Sequence, residues 1–156
     1  MAVTDIARKQ YQRIVDRAAS SVAQRLSVPL EGWIATTRKA LGMSAAQVGR
    51  KLDLTRARIS QAERSELSGG VTIKTMQAIA KALGCRFVYA IVPGDGKVED
   101  LILGQAERKA KALVEKASAH MALERQSLPD EKNKAHVKRL ADELARTMPS
   151  DFWSKT

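Results

Sequence analysis

Apolar side chains recur every three or four residues through most of the chain, which predicts a mainly α-helical protein. The first such stretch lies within residues 3–26, and a second runs from Glu31 to Leu41, where Gly42 is placed to end a helix. A third stretch covers residues 72–83, and two more run from Val98 to about Arg125 and from about residue 130 to Pro149. The spacing places Trp33, Leu41, Ile73 and Leu113 on the buried sides of these helices. Segments rich in Pro and Gly separate them, as expected of connections between helices.

The stretch from Met43 to Arg64 predicts two short helices joined by a tight corner. Ser44 can accept a hydrogen bond from a free amide of the first turn, and Gln47 completes a capping box three residues later. Asp53 falls where the chain must turn, and Asp tolerates the left-handed backbone conformation better than most residues. Thr55 then caps the second helix.

The second of these helices has an apolar back and a polar front. Ile59 and Ala62 face inward, which leaves arginine, glutamine and serine side chains on the other faces. Such a helix suits the major groove of DNA, where Arg can bond bidentately to guanine and Gln to adenine. The alternative is an ordinary helical hairpin with a solvated basic face. We expect base contacts from Arg56, Arg58 and Gln61, and phosphate contacts from Ser44, Thr55, Ser60, Arg64 and Lys74.

Residues 85–92, with the sequence CRFVYAIV, differ in character from the rest of the chain. Seven of the eight are apolar, aromatic or β-branched, and glycine or proline bounds them on each side, which predicts a strand. No second convincing strand is visible, and a lone buried strand would leave its amides and carbonyls unpaired. We therefore expect pairing with the same strand of a second molecule in a homodimer. The residues of this dimer strand are Phe87, Val88, Tyr89, Ala90 and Ile91.

The net charge of +10 is concentrated in the middle of the chain. Residues 27–92 carry ten basic and four acidic side chains, whereas residues 93–156 carry twelve and eleven. A basic excess around the two short helices is the electrostatic footprint of phosphate binding. The balanced charge of residues 93–156 argues against a DNA role there, and their two predicted helices resemble a hairpin that supports a dimer or binds a partner.

Side chains suited to catalysis or metal binding are not grouped in this sequence. His120 and His136 stand apart, and no nucleophile set, phosphate-binding glycine loop or Cys/His cluster is visible. We therefore expect no enzymatic activity, cofactor or metal. Cys85 is the single cysteine, no apolar run reaches membrane-spanning length, and the first residues lack the apolar region of a secretory signal. These features predict a cytoplasmic protein without a membrane partner.

A set of residues between Leu41 and Gly84 matches a known pattern: Ser44, Val48, Leu52, Leu54, Ile59, Ser60, Glu63, Ile73, Met76, Ala80, Leu83 and Gly84. With them, this segment resembles the helix-turn-helix of the phage-repressor/Cro class. The resemblance implies a buried ion pair between Arg38 and Glu63 that ties the first helix to the recognition helix. It also implies base contacts from Arg56, Ala57 and Gln61. Three positions depart from the pattern: Ala45 replaces the usual Gln, Asp53 the usual corner Gly, and Gly49 a small inward Ala.

Five segments extend the likeness: ARKQY (7–11), LTRARISQAE (54–63), ELSGGVTIKTMQ (66–77), GCRFVYAIVP (84–93) and MPSDFW (148–153). Through them the whole sequence resembles the family called mobile mystery protein A. Its members are similar to antitoxin-type regulators, and the adjacent gene in that family encodes a Fic-domain protein. The resemblance implies a two-gene module in which this protein represses its own promoter and restrains its neighbour.

These features predict a mainly α fold with a Cro/repressor-like helix-turn-helix domain at residues 28–84. One dimer-forming β-strand is expected at 85–93, with flanking helical regions at 1–27 and 97–156. The leading functional hypothesis is a dimeric, sequence-specific DNA-binding transcriptional repressor that reads an inverted-repeat operator shared with a Fic-domain partner. The alternative is a protein-binding antitoxin that neutralises a partner mainly through its C-terminal helices. The Phe152-Trp153 pair either anchors in a partner or folds back onto its own helices.

Overall fold

The computed structural model describes residues 3–22, 26–123 and 130–155, apart from the side chains of residues 3, 121 and 122. This part of the chain is mainly helical, as predicted, and none of its helices is long and apolar enough to cross a membrane. The predicted end of the long helix near residue 125 and the break at 127–129 lie outside the described residues. The helices are α1 (Val3–Ser21), α2 (Gly32–Ala40), α3 (Ala45–Lys51), α4 (Arg56–Ser68), α5 (Ile73–Ala82), α6 (Val98–Leu123) and α7 (Asp130–Thr147).

The helices are grouped in two compact units. The central unit, residues 24–90, contains α2 to α5, and the terminal unit, residues 1–23 and 91–156, contains α1, α6 and α7. The first helix is therefore grouped with the last two, although 76 residues, 22–97, separate α1 from α6 in the sequence.

The core of the central unit is small and aliphatic. Val48 of α3 and Ile59 of α4 are both fully buried, and Ile79 of α5 is 2% exposed. Trp33 and Leu41, which the apolar spacing placed in the core, are largely exposed. Trp33 lies about 100° around the helix from the buried Ile34, and Leu41 is the C-cap residue after α2. The buried core consists of Ile34, Ala45, Val48, Ile59, Met76, Ile79 and Leu83.

The terminal unit is built on close packing of α6 against α7. Ala106 and Ala110 are fully buried, because their small side chains bring the backbone of α6 close to its neighbours. Leu113, expected on the same buried stripe, is 45% exposed, whereas the adjacent Val114 is buried. Helix α1 caps α6, since Asp16 Oδ1 accepts a hydrogen bond from the Val98 amide at 3.0 Å.

The tail after α7 folds back onto α6 and buries one of its two aromatic rings. Phe152 is 1% exposed, whereas Trp153 is 61% exposed and meets the Phe152 ring edge-on. Lys109 Nζ donates to the carbonyl oxygen of Asp151 and, at 2.8 Å, to its carboxylate. The hydrogen bond from Lys109 lowers the pKa of Asp151. Gln105 Nε2 donates to the Phe152 carbonyl at 2.7 Å. Phe152 thus folds back onto its own helices, whereas anchoring of Trp153 in a partner stays a prediction.

Residues 85–93 contain no β-strand, and no other described residue forms one. The predicted strand is therefore absent from the described chain, and pairing with a second copy stays a prediction. A strand requires a neighbouring strand for its ladder hydrogen bonds, and the described chain offers none. The amide of Cys85 instead donates to the Ala80 carbonyl at the end of α5. Of the residues assigned to the strand, Phe87 packs on the helical core and stacks on the ring of Tyr89. The others, Val88, Ala90 and Ile91, are exposed.

Candidate nucleic-acid interface

Helix α3 begins with the capping box that the sequence predicts. Ser44 Oγ accepts from the Gln47 amide at 3.2 Å, and Gln47 Oε1 accepts from the Ser44 amide at 2.7 Å. These two bonds satisfy donors that the first turn of a helix leaves free. Ser44 and Gln47 are exposed, whereas Ala45 and Val48 are buried and hold α3 against the core.

The corner between α3 and α4 depends on one glycine and one strained aspartate. Asp53 has φ +56°, in the left-handed region, as predicted from its position at the turn. The Leu54 amide donates to the Gly49 carbonyl at 2.9 Å. A Cβ atom on Gly49 would lie 2.5 Å from the Leu54 carbonyl oxygen, so any side chain there would push the corner open. The presence of glycine at position 49, where the helix-turn-helix pattern usually has alanine, therefore has a steric reason in this fold.

Helix α4 is held from behind and at its start. Thr55 Oγ1 accepts from the Arg58 amide at 3.2 Å, which caps the first turn. Ile59 is fully buried, and Ala62 packs half-buried against the same core. At 100° per residue, the positions farthest from Ile59 around the helix are Ala57, Gln61, Arg64 and Ser68, and all four are exposed.

The structure brings the four predicted base-contacting residues together on one exposed region of α4. Ala57 and Gln61 point away from the core, and Arg56 and Arg58 lie on either side of them. Arg58 Nη1 lies 3.5 Å from Gln61 Oε1, so the two long side chains lie side by side. No acidic side chain of α4 lies among them, since Glu63 and Glu66 are half-buried on the inner faces.

Three of the five predicted phosphate contacts lie at the N-terminal ends of helices, and the other two, Ser60 and Arg64, lie within α4. Ser44, Thr55 and Lys74 belong to the N-cap of α3, the N-cap of α4 and the first turn of α5, respectively. Helix N-termini offer free amides and the positive end of the helix dipole to an anion. Arg64 is exposed, whereas Ser60 is half-buried and therefore less accessible to a phosphate.

The ion pair implied by the resemblance is present between Arg38 and Glu63. Arg38 Nε and Nη2 donate to the two carboxylate oxygens of Glu63 at 2.7 and 3.3 Å. Arg38 Nη1 also donates to the Met43 carbonyl at 3.0 Å. The two side chains are 14% and 16% exposed, so the pair is largely shielded from water. Arg38 thereby joins α2, the following loop and α4.

A second carboxylate of α4, which sequence reasoning missed, caps α2. Glu66 accepts from the amides of Trp33 at 2.6 Å and Ile34 at 2.9 Å. Gly32 has φ +79°, and a Cβ atom there would lie 2.8 Å from Glu66 Oε2. The partners are more than thirty residues apart, so no local sequence pattern signals this cap.

We expect Glu66→Ala to lower the free energy of unfolding of the central unit by about 2 kcal/mol, because two charge-assisted hydrogen bonds to helix amides are lost. Urea unfolding followed by Trp33 fluorescence, in a Trp153→Phe background, measures the change. Glu31→Ala is the matched control, since Glu31 only makes an exposed pair with Lys39 and should change stability by less than about 1 kcal/mol. Equal losses for the two variants would contradict the capping role of Glu66.

Comparison with known proteins agrees with this geometry. A family model described as helix-turn-helix matches residues 34–89, from the first turn of α2 to the segment after α5. No curated protein and no solved structure matches the chain. The match covers 56 of the 156 residues, and the similarity of this segment to a helix-turn-helix domain supports a role for the chain as a DNA-binding transcription regulator.

Proposed function

We propose that this protein is a transcriptional repressor that binds an inverted-repeat operator as a homodimer and has no enzymatic activity. The observation that carries the proposal is the exposed polar face of α4. Arg56, Arg58 and Gln61 lie there without a competing carboxylate on that face, and Thr55 and Ile59 fix the helix from its start and from behind.

Each side chain on this face has a partner of matching chemistry in the major groove. The arginines can donate two hydrogen bonds to O6 and N7 of guanine, and Gln61 can pair with N6 and N7 of adenine. Ala57 presents a methyl group that suits the methyl of thymine. The groove is about 12 Å wide, which admits one α-helix. A sequence preference follows from this set of donors.

Phosphate contacts would fix the helix in its groove. Ser44 and Thr55 present hydroxyl groups at helix N-termini, while Lys74 and Arg64 contribute exposed positive charges. Each neutralised phosphate releases counterions, so affinity for any duplex falls with rising salt. The net positive charge of the middle of the chain supports this part of the proposal.

One recognition helix spans only a half-site, which is why we propose two copies on a two-fold symmetric operator. The two α4 helices would then lie about 34 Å apart, one turn of DNA. The resemblance to mobile mystery protein A supports autoregulation of an operon shared with a Fic-domain partner. Selection of bound fragments from the source genome, followed by footprinting, tests this. Failure to bind the upstream region of its own gene at low ionic strength would contradict autoregulation.

Arg56→Ala is expected to weaken binding to the selected operator by about 1–3 kcal/mol and to relax preference for the guanine that it contacts. Fluorescence anisotropy with the operator and with a scrambled duplex, at one salt concentration, measures both effects. The variant should bind scrambled DNA almost as well as the unaltered protein does.

Lys74→Ala serves as the comparison for a phosphate contact. It should weaken binding to both duplexes equally and reduce the slope of log K against log salt by about 1. Lys116→Ala, exposed on α6 of the terminal unit, should change neither duplex. Equal losses on both duplexes for Arg56→Ala would show that Arg56 does not read a base.

The terminal unit supports a second candidate function, the binding of a protein partner. Trp153 and Tyr11, 61% and 70% exposed, line an open groove together with Leu101. Tryptophan and tyrosine are enriched among residues that dominate binding energy at protein interfaces. If this groove captures the product of the adjacent gene, Trp153→Ala should abolish neutralisation on co-expression and leave operator binding intact. Unchanged neutralisation by Trp153→Ala would show that the partner does not bind in this groove. Absence of neutralisation by the unaltered protein would contradict the second function.

A further inference from the structure

The central unit contains a cavity that the proposed DNA contacts do not use. It measures about 320 Å³ and is bounded by α2, α5 and the segment that follows α5. Its walls are mainly apolar, and its largest side chains are Trp33, Met76 and Phe87. Trp33 is 41% exposed, so the cavity is open to solvent at one side.

The described residues that line this cavity carry one positive charge and no negative charge. Among the described residues that line it, Arg86 is the only ionisable side chain besides the Cys85 thiol, and no carboxylate is present. Arg86 is exposed and forms no ion pair with another described residue. Thr37 adds a hydroxyl group to the α2 wall. An apolar recess with one charged residue, Arg86, in its lining is complementary to a molecule that has an apolar body and one negative group.

We propose that this cavity binds a small organic anion. Its aromatic or aliphatic body would lie against Trp33, Met76 and Phe87, and its carboxylate or sulfonate would accept hydrogen bonds from Arg86. The volume lies at the lower end of the range of small-molecule sites, roughly 300–1,000 Å³, so the ligand is small.

Occupancy of the cavity would act on the core of the helix-turn-helix domain. Ile34, Met76, Ile79 and Leu83 line the cavity and also belong to the cluster that buries Ile59. A ligand that binds these residues only in their folded arrangement stabilises the domain by mass action. This inference does not depend on DNA binding.

The test uses two fluorescent probes with related aromatic bodies, 1-anilinonaphthalene-8-sulfonate and the uncharged N-phenyl-1-naphthylamine. Both should become fluorescent with the full-length protein. Arg86→Ala should weaken binding of the sulfonate probe about tenfold, as expected for loss of a charge-assisted hydrogen bond, and leave the neutral probe unchanged. Arg50→Ala, an exposed arginine at the end of α3 that does not line the cavity, should alter neither probe.

The Cys85 thiol provides a second readout at the site itself. It is the single cysteine of the chain and lines the cavity, so a bound probe should slow its reaction with a disulfide reagent. The sulfonate probe should protect Cys85 in the unaltered protein and in Arg50→Ala, but about tenfold less at equal concentration in Arg86→Ala. Circular dichroism of each variant confirms that the helices are retained.

Three results would overturn the proposal. In the first, Arg86→Ala binds the sulfonate probe as tightly as the unaltered protein. In the second, the probe binds but leaves the reaction of Cys85 unchanged, which places it elsewhere. In the third, probe binding disappears as the protein concentration rises through the range where light scattering detects dimers, which assigns the cavity to a second copy of the chain.

Discussion

Replacing Phe152 by alanine should destabilise the terminal unit by about 3–5 kcal/mol while the central unit stays folded. The Phe152 ring is 1% exposed and belongs to the same buried cluster as Ile102, Ala106 and Leu144. Its removal leaves a cavity that alanine side chains on α6 are too short to fill. Lys109 and Gln105 could still donate hydrogen bonds to the tail, but the ring that packs beside these bonds would be missing.

Each unit contains one tryptophan, which allows the effect to be assigned. Trp33 reports on the central unit in a Trp153→Phe background, and Trp153 reports on the terminal unit in a Trp33→Phe background. Urea unfolding of both backgrounds should show a shifted transition only with Trp153. Ser154→Ala, exposed two residues further on, should change stability by no more than about 0.5 kcal/mol. Equal shifts reported by both tryptophans would show that the two units unfold together.

Local features of this fold were predictable because they depend on neighbouring residues. The side chains of Ser44, Thr55 and Thr72 each accept a hydrogen bond from the amide three residues further along the chain. The left-handed backbone at Asp53 is also local, since it depends on that residue and its place in the turn. The inward position of Ile59 follows from its spacing to the cap, since a short helix can bury only one side.

Features that join distant segments were not predictable in the same way. The Glu66 cap on α2 and the burial of Phe152 by α6 depend on how helices pack, and neither leaves a periodic signal in the sequence. Ile73 shows the same limit, since apolar spacing placed it inward, yet the first residue of α5 is 48% exposed.

The error at residues 85–93 has a related cause. Alternating and continuous apolar runs indicate burial of an extended segment, but a strand also needs a hydrogen-bonding neighbour. Here Phe87 is the residue that packs on the helices, and Val88 lines the cavity beside it. Burial against helices and burial in a sheet favour the same residue types, so the composition of this segment could not separate them.

The candidate site was the more predictable part, because its residues lie on one short helix. Exposure of Ala57, Arg58 and Gln61 follows from the inward position of Ile59, and that of Arg56 from its place as the first residue of α4. The Arg38–Glu63 pair, in contrast, came from the resemblance, since charges 25 residues apart give no spacing rule. The ion pair that joins α4 to α2 could therefore be predicted only from related sequences.

Arg38→Ala should lower the free energy of unfolding of the central unit by about 3 kcal/mol, the lower end of the range for breaking a buried ion pair. The loss arises because Glu63, 16% exposed, would keep its charge without a partner, and because the Met43 carbonyl would lose its donor. Glu63→Ala should have a similar effect for the same reason. Replacing both by apolar residues, Arg38→Met with Glu63→Leu, should recover much of the stability, since no charge is then stranded.

Urea unfolding of the two alanine variants and of their combination, Arg38→Ala with Glu63→Ala, followed by Trp33 fluorescence in a Trp153→Phe background, gives the coupling between the two residues. Lys39→Ala is the control, because its pair with Glu31 is more than half exposed and should contribute less than about 1 kcal/mol. Losses that simply add in the double variant would contradict a shielded pair. The pair also joins α2 to α4, so the single variants should lose operator affinity under conditions where the domain is still folded. Such a loss would show that the recognition helix is misplaced and that the fold is retained.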